Sequence, residues 1–147
     1  MPRSPRILIV DDEFNIREGL AKAFRDDGYE VLTAADGEEA LGHVRTRAVD
    51  LVFADLRMPR KDGATFLREA LSIDADLPVI VFTGHGSIED AVRLMKDGAY
   101  DFLSKPVDLE RLTLLARRAL EKRGLRQENS YLREAAAQGG ETRFIGS

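Results

Sequence analysis

Short apolar runs alternate with segments of helical periodicity along most of this chain. Ile7-Leu8-Ile9-Val10, Leu51-Val52-Phe53-Ala54 and Pro78-Val79-Ile80-Val81-Phe82 are apolar at every position, and Tyr100-Asp101-Phe102-Leu103 is a shorter run of the same kind. Glu30-Val31-Leu32-Thr33 follows a Gly28 turn and makes a fifth strand candidate. Strands apolar on both faces belong in a parallel sheet covered by helices. Between them, Ile16, Leu20, Ala23 and Phe24 repeat at helical spacing up to Asp27-Gly28. Ala40, Leu41 and Val44 mark a second helix after Asp36-Gly37, and Phe66, Leu67, Ala70 and Leu71 a third. Ile88, Ala91, Val92 and Met95 mark a fourth, with Ser87 as cap and Gly98 as stop. Leu109, Leu112, Ala116 and Ala119 mark a fifth behind Asp108. Five strand–helix repeats predict a parallel α/β sandwich with right-handed crossovers.

That domain is expected to span residues 1–120. Residues 121–140 read as a charged helical linker. Leu125, Asn129, Leu132 and Ala136 alternate spacings of four and three, the coiled-coil seam pattern. Gly124 costs such a helix about 1 kcal/mol against Ala and leaves room for a break there. Gln138-Gly139-Gly140 ends it.

Composition narrows the chemistry. The 147 residues hold no cysteine, which removes disulfides and thiolate metal sites. Hydrophobic content of 44% and charged content of 33% fit a soluble globular domain. No apolar run approaches the roughly 18 residues of a membrane span, and the polar start has no secretory pattern. A cytoplasmic location is the expectation. The net charge of −4 argues against a nucleic-acid binder. Arg117, Arg118, Lys122, Arg123, Arg126 and Arg133 are interleaved with Glu121, Glu128 and Glu134, as on a solvated helix. His43 reads as a helix-surface residue and His85 as an exposed loop residue near the site. Carboxylates remain.

Ligands of open parallel sheets bind beyond the carboxyl ends of the strands. Asp11 and Asp12 follow the first strand, Asp55 the third, Thr83 ends the fourth and Lys105 follows the fifth. Singly, these have bland readings. Asp11-Asp12 can cap a helix, Asp55 can open the turn before Met58-Pro59, Thr83 can bond backbone and Lys105-Pro106 can be a solvated loop. Together they converge on one edge of the sheet. Crowded carboxylates repel without a cation, and all-oxygen ligands favour Mg²⁺, with Mn²⁺ as the alternative. Asp12 and Asp55 are expected as direct ligands, Asp11 directly or through water, and the Arg57 backbone carbonyl as a further one. Asp55 is then the candidate nucleophile toward phosphorus. Countercharge comes from the cation and Lys105, and the Thr83 hydroxyl donates to a phosphoryl oxygen.

At Val10-Asp11-Asp12-Glu13, Asp55-Leu56-Arg57-Met58-Pro59, Thr83-Gly84 and Lys105-Pro106, the chain closely resembles the receiver domain of two-component response regulators, from about Arg6 to Leu120. The resemblance implies a flavodoxin-like fold with strand order 2-1-3-4-5. It implies a signalling switch rather than a turnover enzyme, with a sensor histidine kinase as phosphodonor to Asp55. Thr83 and the aromatic Phe102 are the implied switch residues. Phe102 stands where a Tyr is commoner and has no hydroxyl; plain packing is its other reading. Gly98-Ala99-Tyr100-Asp101-Phe102-Leu103, Val81 to Gly86 and Arg117 to Arg123 resemble the dicarboxylate-transport regulators among nitrogen-regulator-class, sigma-54-dependent activators. Phe144-Ile145-Gly146-Ser147 resembles the opening of their ATPase domain, which makes residues 141–147 the start of a truncated one. That reading implies a homodimer through the fourth helix, fifth strand, fifth helix and linker. It also implies ATPase and DNA-binding domains in the parent protein. A free-standing receiver acting by docking is the alternative.

Two other classes fit less well. A haloacid-dehalogenase-type phosphatase wants a second Asp two residues after the nucleophile, where Arg57 stands. A flavin-binding flavodoxin wants a hydroxyl- and Gly-rich loop after the first strand, where Asp11-Asp12-Glu13 repels a metal-free phosphate.

Overall fold

The computed structural model describes residues 4–84 and 87–139, with side chains through residue 124. Ten elements alternate: β1 (Arg6–Val10), α1 (Phe14–Asp26), β2 (Glu30–Ala34), α2 (Gly37–Thr46), β3 (Leu51–Asp55), α3 (Gly63–Ile73), β4 (Val79–Thr83), α4 (Ile88–Lys96), β5 (Asp101–Ser104) and α5 (Leu109–Gly139). All strand pairs are parallel, in the order β2-β1-β3-β4-β5. This is the expected flavodoxin-like arrangement. The fifth strand begins one residue later than its apolar run, because Tyr100 still belongs to the turn after Gly98.

Strand residues alternate between two cores, as a period of two demands. Leu8, Val10, Val52, Ala54, Val79 and Val81 face Ala40, Leu41, Phe66, Leu67, Ala70 and Leu94 of α2, α3 and α4. Ile7, Ile9, Leu51, Phe53, Ile80 and Phe82 face Leu20 and Phe24 of α1 and Leu112, Ala116 and Ala119 of α5. Phe24 and Phe53 stack at 5.1 Å between centroids. Helices therefore cover both faces, and the strand ends alone remain open to chemistry.

The helix starts are set locally. Asp36 and Asp62 cap α2 and α3 by accepting the Glu39 and Thr65 N–H groups. Ser87 and Asp90 form a reciprocal capping box at α4. Ser87→Ala should lower unfolding free energy by about 1 kcal/mol in urea titrations.

The apolar stripe of α4 does not face the core. Ile88, Val92 and Met95 are 83%, 49% and 46% exposed, and Leu94 supplies the buried contact. Leu109 and Leu114 of α5 are likewise exposed. On α5, Gly124 makes no break, and the helix runs on to Gly139. A Cβ at Gly124 would meet nothing, so close packing does not require glycine there. Arg123, beyond the expected domain end, is buried under the sheet. Its Nη2 lies 2.8 Å from Asp74 Oδ2 and 3.3 Å from the Val49 carbonyl. Its Nε lies 3.5 Å from Asp50. The seam side chains from Leu125 onward and residues 140–147 lie outside the described residues, as does His85. No helix among the described residues is long and apolar enough to cross a membrane.

Candidate phosphoacceptor and metal site

Each strand delivers its polar residue at its carboxyl end. Val10 closes β1, and Asp11 extends the ladder by donating its N–H to the Ala34 carbonyl at 3.1 Å. Asp55 is the last residue of β3, and Thr83 the last of neighbouring β4. Lys105 follows β5 and donates its N–H to the Thr83 carbonyl at 2.9 Å. Parallel pairing in register thus brings residues up to 94 positions apart to one rim.

Carboxylate oxygens of Asp11, Asp12 and Asp55 lie within 4.8 Å of one another, with Asp11 and Asp55 buried and Asp12 exposed. Lys105 Nζ stands 3.1 Å from Asp11 Oδ2 and 3.4 Å from Asp55 Oδ2. It also lies 5.1 Å from the centroid of the Phe82 ring, which forms an apolar wall beside it. Asp11 is not a helix cap. Glu13 holds that position with no side-chain cap bond, while Asp11 Oδ1 accepts the Glu13 N–H at 2.9 Å. Its carbonyl accepts from Arg17 Nη1 at 2.9 Å, so four partners (Ala34, Glu13, Arg17 and Lys105) fix Asp11.

Burial pushes the Asp55 carboxyl above its ordinary range, and the Asp11 charge adds to the push. Lys105 and the Arg57 N–H, 3.4 Å from Asp55 Oδ1, oppose it. Burial alone would lower the Lys105 ammonium pKa. The hydrogen bond and charge of Asp11, joined by Asp55, outweigh it and move the value up. Lys105 is therefore a fixed cation at neutral pH. One ammonium against three carboxylates leaves an excess of negative charge at the rim. Hard oxygen donors facing each other across so short a span fit a small divalent cation such as Mg²⁺. Asp11, Asp12 and Asp55 are the side chains able to hold it.

Arg57 is the second residue after Asp55, in the loop that leaves β3. Phe102 is half-buried in β5 and packs against the core under α4. Thr83 is buried at the rim. His43 is half-buried on α2, with its Nε2 3.2 Å from the Thr33 carbonyl. Three features have no signal in the sequence: the Arg17 contact with Asp11, an ion pair between Arg60 and Asp36, and the Arg123 anchor. Each joins a side chain to a group whose proximity depends on how the backbone turns between elements.

Known proteins bear on this geometry. The family profile described as "Response regulator receiver domain" matches residues 7–117. The chain is 41% identical over 136 residues to the C4-dicarboxylate transport transcriptional regulatory protein DctD of Rhizobium meliloti, covering 92% of this chain and 30% of that protein. It is 41% identical over 130 residues to the nitrogen assimilation regulatory protein NtrX of Azorhizobium caulinodans, covering 87% and 29%. Among solved structures, NtrX from Brucella abortus superposes with a TM-score of 0.81 at 43% identity, covering 88% of this chain and 30% of that one. The beryllofluoride-activated NtrC4 receiver domain dimer superposes at 0.76 and 37% identity, covering 80% and 98%. The chain spans under a third of the length of the two regulators. With five parallel strands in this order, an acidic trio and a lysine at one rim, and a profile match across most of its length, the chain belongs to the response regulator receiver domain family.

Proposed function

We propose that Asp55 accepts a phosphoryl group from the phosphohistidine of a sensor histidine kinase, and that this chain is the receiver of a longer transcription regulator. The observation that carries the reading is the rim itself: Asp11, Asp12 and Asp55 within 4.8 Å, with Lys105 Nζ bonded to Asp11 and Asp55. An Asp55 oxygen attacks phosphorus, the P–N bond breaks, and its electron pair leaves with the imidazole. The product is an acyl phosphate on Asp55, which water later hydrolyses. Mg²⁺, held by Asp11, Asp12, Asp55 and the Arg57 carbonyl, supplies countercharge to the phosphoryl group when bound. Lys105, freed from the Asp55 carboxylate, bonds a phosphoryl oxygen, and Thr83 donates to another. A receiver domain is a signalling switch, so this chemistry is read out as a change of shape.

The output is a change of dimer state through α4, β5, α5 and the linker of residues 121–140. The switch residues are Thr83 and Phe102. The exposed Ile88, Val92 and Met95 on α4, with Leu109 and Leu114 on α5, support this surface. The DctD and NtrX relatives are about three times longer than this chain. That supports a parent protein continuing from residues 141–147 into a sigma-54-dependent ATPase and a DNA-binding domain, working in the cytoplasm. A shift from nearly all one arrangement to nearly all the other needs about 5.5 kcal/mol of differential stabilisation. Sedimentation of this chain with and without beryllofluoride and Mg²⁺ tests the reading. The expected result is a change in association or in dimer shape. The same dimer by sedimentation and by solution scattering in both conditions would sink it.

A further inference from the structure

The loop joining β3 to α3 holds a strained residue. Arg60 sits at φ 65°, the left-handed region that residues with a Cβ enter at a cost, and is the sole non-glycine residue there among those described. Its side chain shows what holds it. Nε and Nη2 lie 3.0 Å and 2.9 Å from one oxygen, Asp36 Oδ2. Asp36 is buried at the start of α2, and its other oxygen accepts the Glu39 N–H at 2.8 Å. That N–H first, and Arg60 next, keep the Asp36 carboxyl below its ordinary range against the pull of burial.

The neighbouring residue closes the same contact. A Cβ on Gly37 would overlap the Lys61 carbonyl oxygen and stand 2.7 Å from the Lys61 Cβ. Only glycine lets α2 and the loop approach this closely. Lys61 Nζ then reaches Glu69 of α3 at 2.8 Å and Glu38 of α2 at 3.6 Å. At the far end of the loop, a Cβ on Gly63 would lie 2.6 Å from the Asp55 carbonyl oxygen, so the chain folds back onto the backbone of Asp55 itself.

We infer that the start of α2 is a positioning staple: Asp36 and Gly37, acting through Arg60 and Lys61, set the path of the loop that leaves Asp55 and carries the Arg57 carbonyl. Asp36 and Arg60 are positioning residues and hold no metal or phosphoryl group. A glycine in place of Arg60 would remove the backbone cost and the ion pair together, two effects of opposite sign on stability, whereas arginine accepts the backbone cost and gains a fixed loop. The inference rests on the phosphoacceptor reading of the rim.

The test compares the parent chain with Arg60→Gly, Asp36→Asn and Arg60→Lys. Asn still caps α2, so Asp36→Asn removes the ion pair alone. Three quantities are measured: thermal midpoint without metal, amide exchange of Arg57, Met58 and Lys61 without metal, and Mg²⁺ affinity by NMR titration. Arg60→Gly and Asp36→Asn should exchange these amides on the order of tenfold faster. Their Mg²⁺ affinity should weaken by on the order of tenfold, as for other residues that orient ligands from behind. The Arg60→Gly midpoint should stay within about 3 °C of the parent, the shift expected for roughly 1 kcal/mol in a domain this size. Arg60→Lys should recover part of the affinity. Unchanged exchange and unchanged Mg²⁺ affinity in both Arg60→Gly and Asp36→Asn would overturn the staple. A parent chain that takes up no Mg²⁺ sinks the phosphoacceptor reading instead, and the metal-free exchange rates still decide the staple.

Discussion

Asp55→Asn should take up no label from acetyl phosphate and Mg²⁺, under conditions that label the parent chain, and should be more stable than the parent in metal-free buffer at neutral pH. The first half follows from chemistry: an amide oxygen is a poor nucleophile toward phosphorus, and Asp11 is already committed to Glu13 and Lys105. Label that survives in the variant moves the nucleophile elsewhere. The second half follows from electrostatics. Burial and the charge of Asp11 raise the Asp55 pKa above the ordinary 3.8. The folded domain therefore holds a proton at Asp55 more tightly than the unfolded chain does. The stability this contributes is complete below pH 3.8 and is lost as pH rises through the raised value. At pH 7 the ionised carboxylate works against folding, by roughly 1.4 kcal/mol for every tenfold by which folding tightens its hold on the proton. Asparagine removes that charge. Urea unfolding should show the variant ahead at pH 7, the gap closing below pH 3.8 and shrinking when Mg²⁺ stabilises the parent. A variant less stable than the parent at neutral pH would contradict the charge balance drawn for the rim.

Arg123→Ala should cost about 2–3 kcal/mol in the same assay, among the largest losses open to a residue outside the apolar core. Its side chain is 9% exposed and bridges Val49 and Asp50 before β3 to Asp74 at the end of α3. Removing one partner of a buried pair typically costs about 3–5 kcal/mol. Here the loss is moderated on the partner side. Asp74 is 35% exposed and can rehydrate, and Asp50 keeps its bond from the Arg6 N–H at 2.8 Å. It is moderated on the arginine side too, because Nε and Nη1 are buried without a hydrogen-bond acceptor. Arg123→Met keeps most of the apolar stem and should cost less than Arg123→Ala. Equal losses would mean that the guanidinium, not the stem, holds the helix down.

The contrast between these two residues shows what a linear reading can reach. Asp55 is legible because a local signal, an apolar run ending in a carboxylate, combines with a general rule about strand ends. The same rule places Asp11, Thr83 and Lys105 at one rim. Arg123 reads as part of a solvated charged helix, since nothing local reveals that Asp50 and Asp74 come together beneath it. The Asp36–Arg60 pair, 24 positions apart, is hidden for the same reason, as it depends on where a loop turns. On α4 the apolar period correctly marks a helix. Period alone does not say what a face meets, and Ile88, Val92 and Met95 meet solvent while Leu94 meets the core. Gly124 carries an intrinsic cost of about 1 kcal/mol, which a continuous helix absorbs.

The unbroken α5 has a geometric consequence. Its 31 residues extend about 46 Å, and the guanidinium beneath the sheet fastens it near the midpoint. Anything attached to its far end inherits a definite azimuth. One residue added after Gly124 would swing that attachment by about 100° and advance it by about 1.5 Å, whereas a heptad would return it to within roughly 20° of the original facing. Helical phase, as much as reach, is thus a quantity this receiver can hand on.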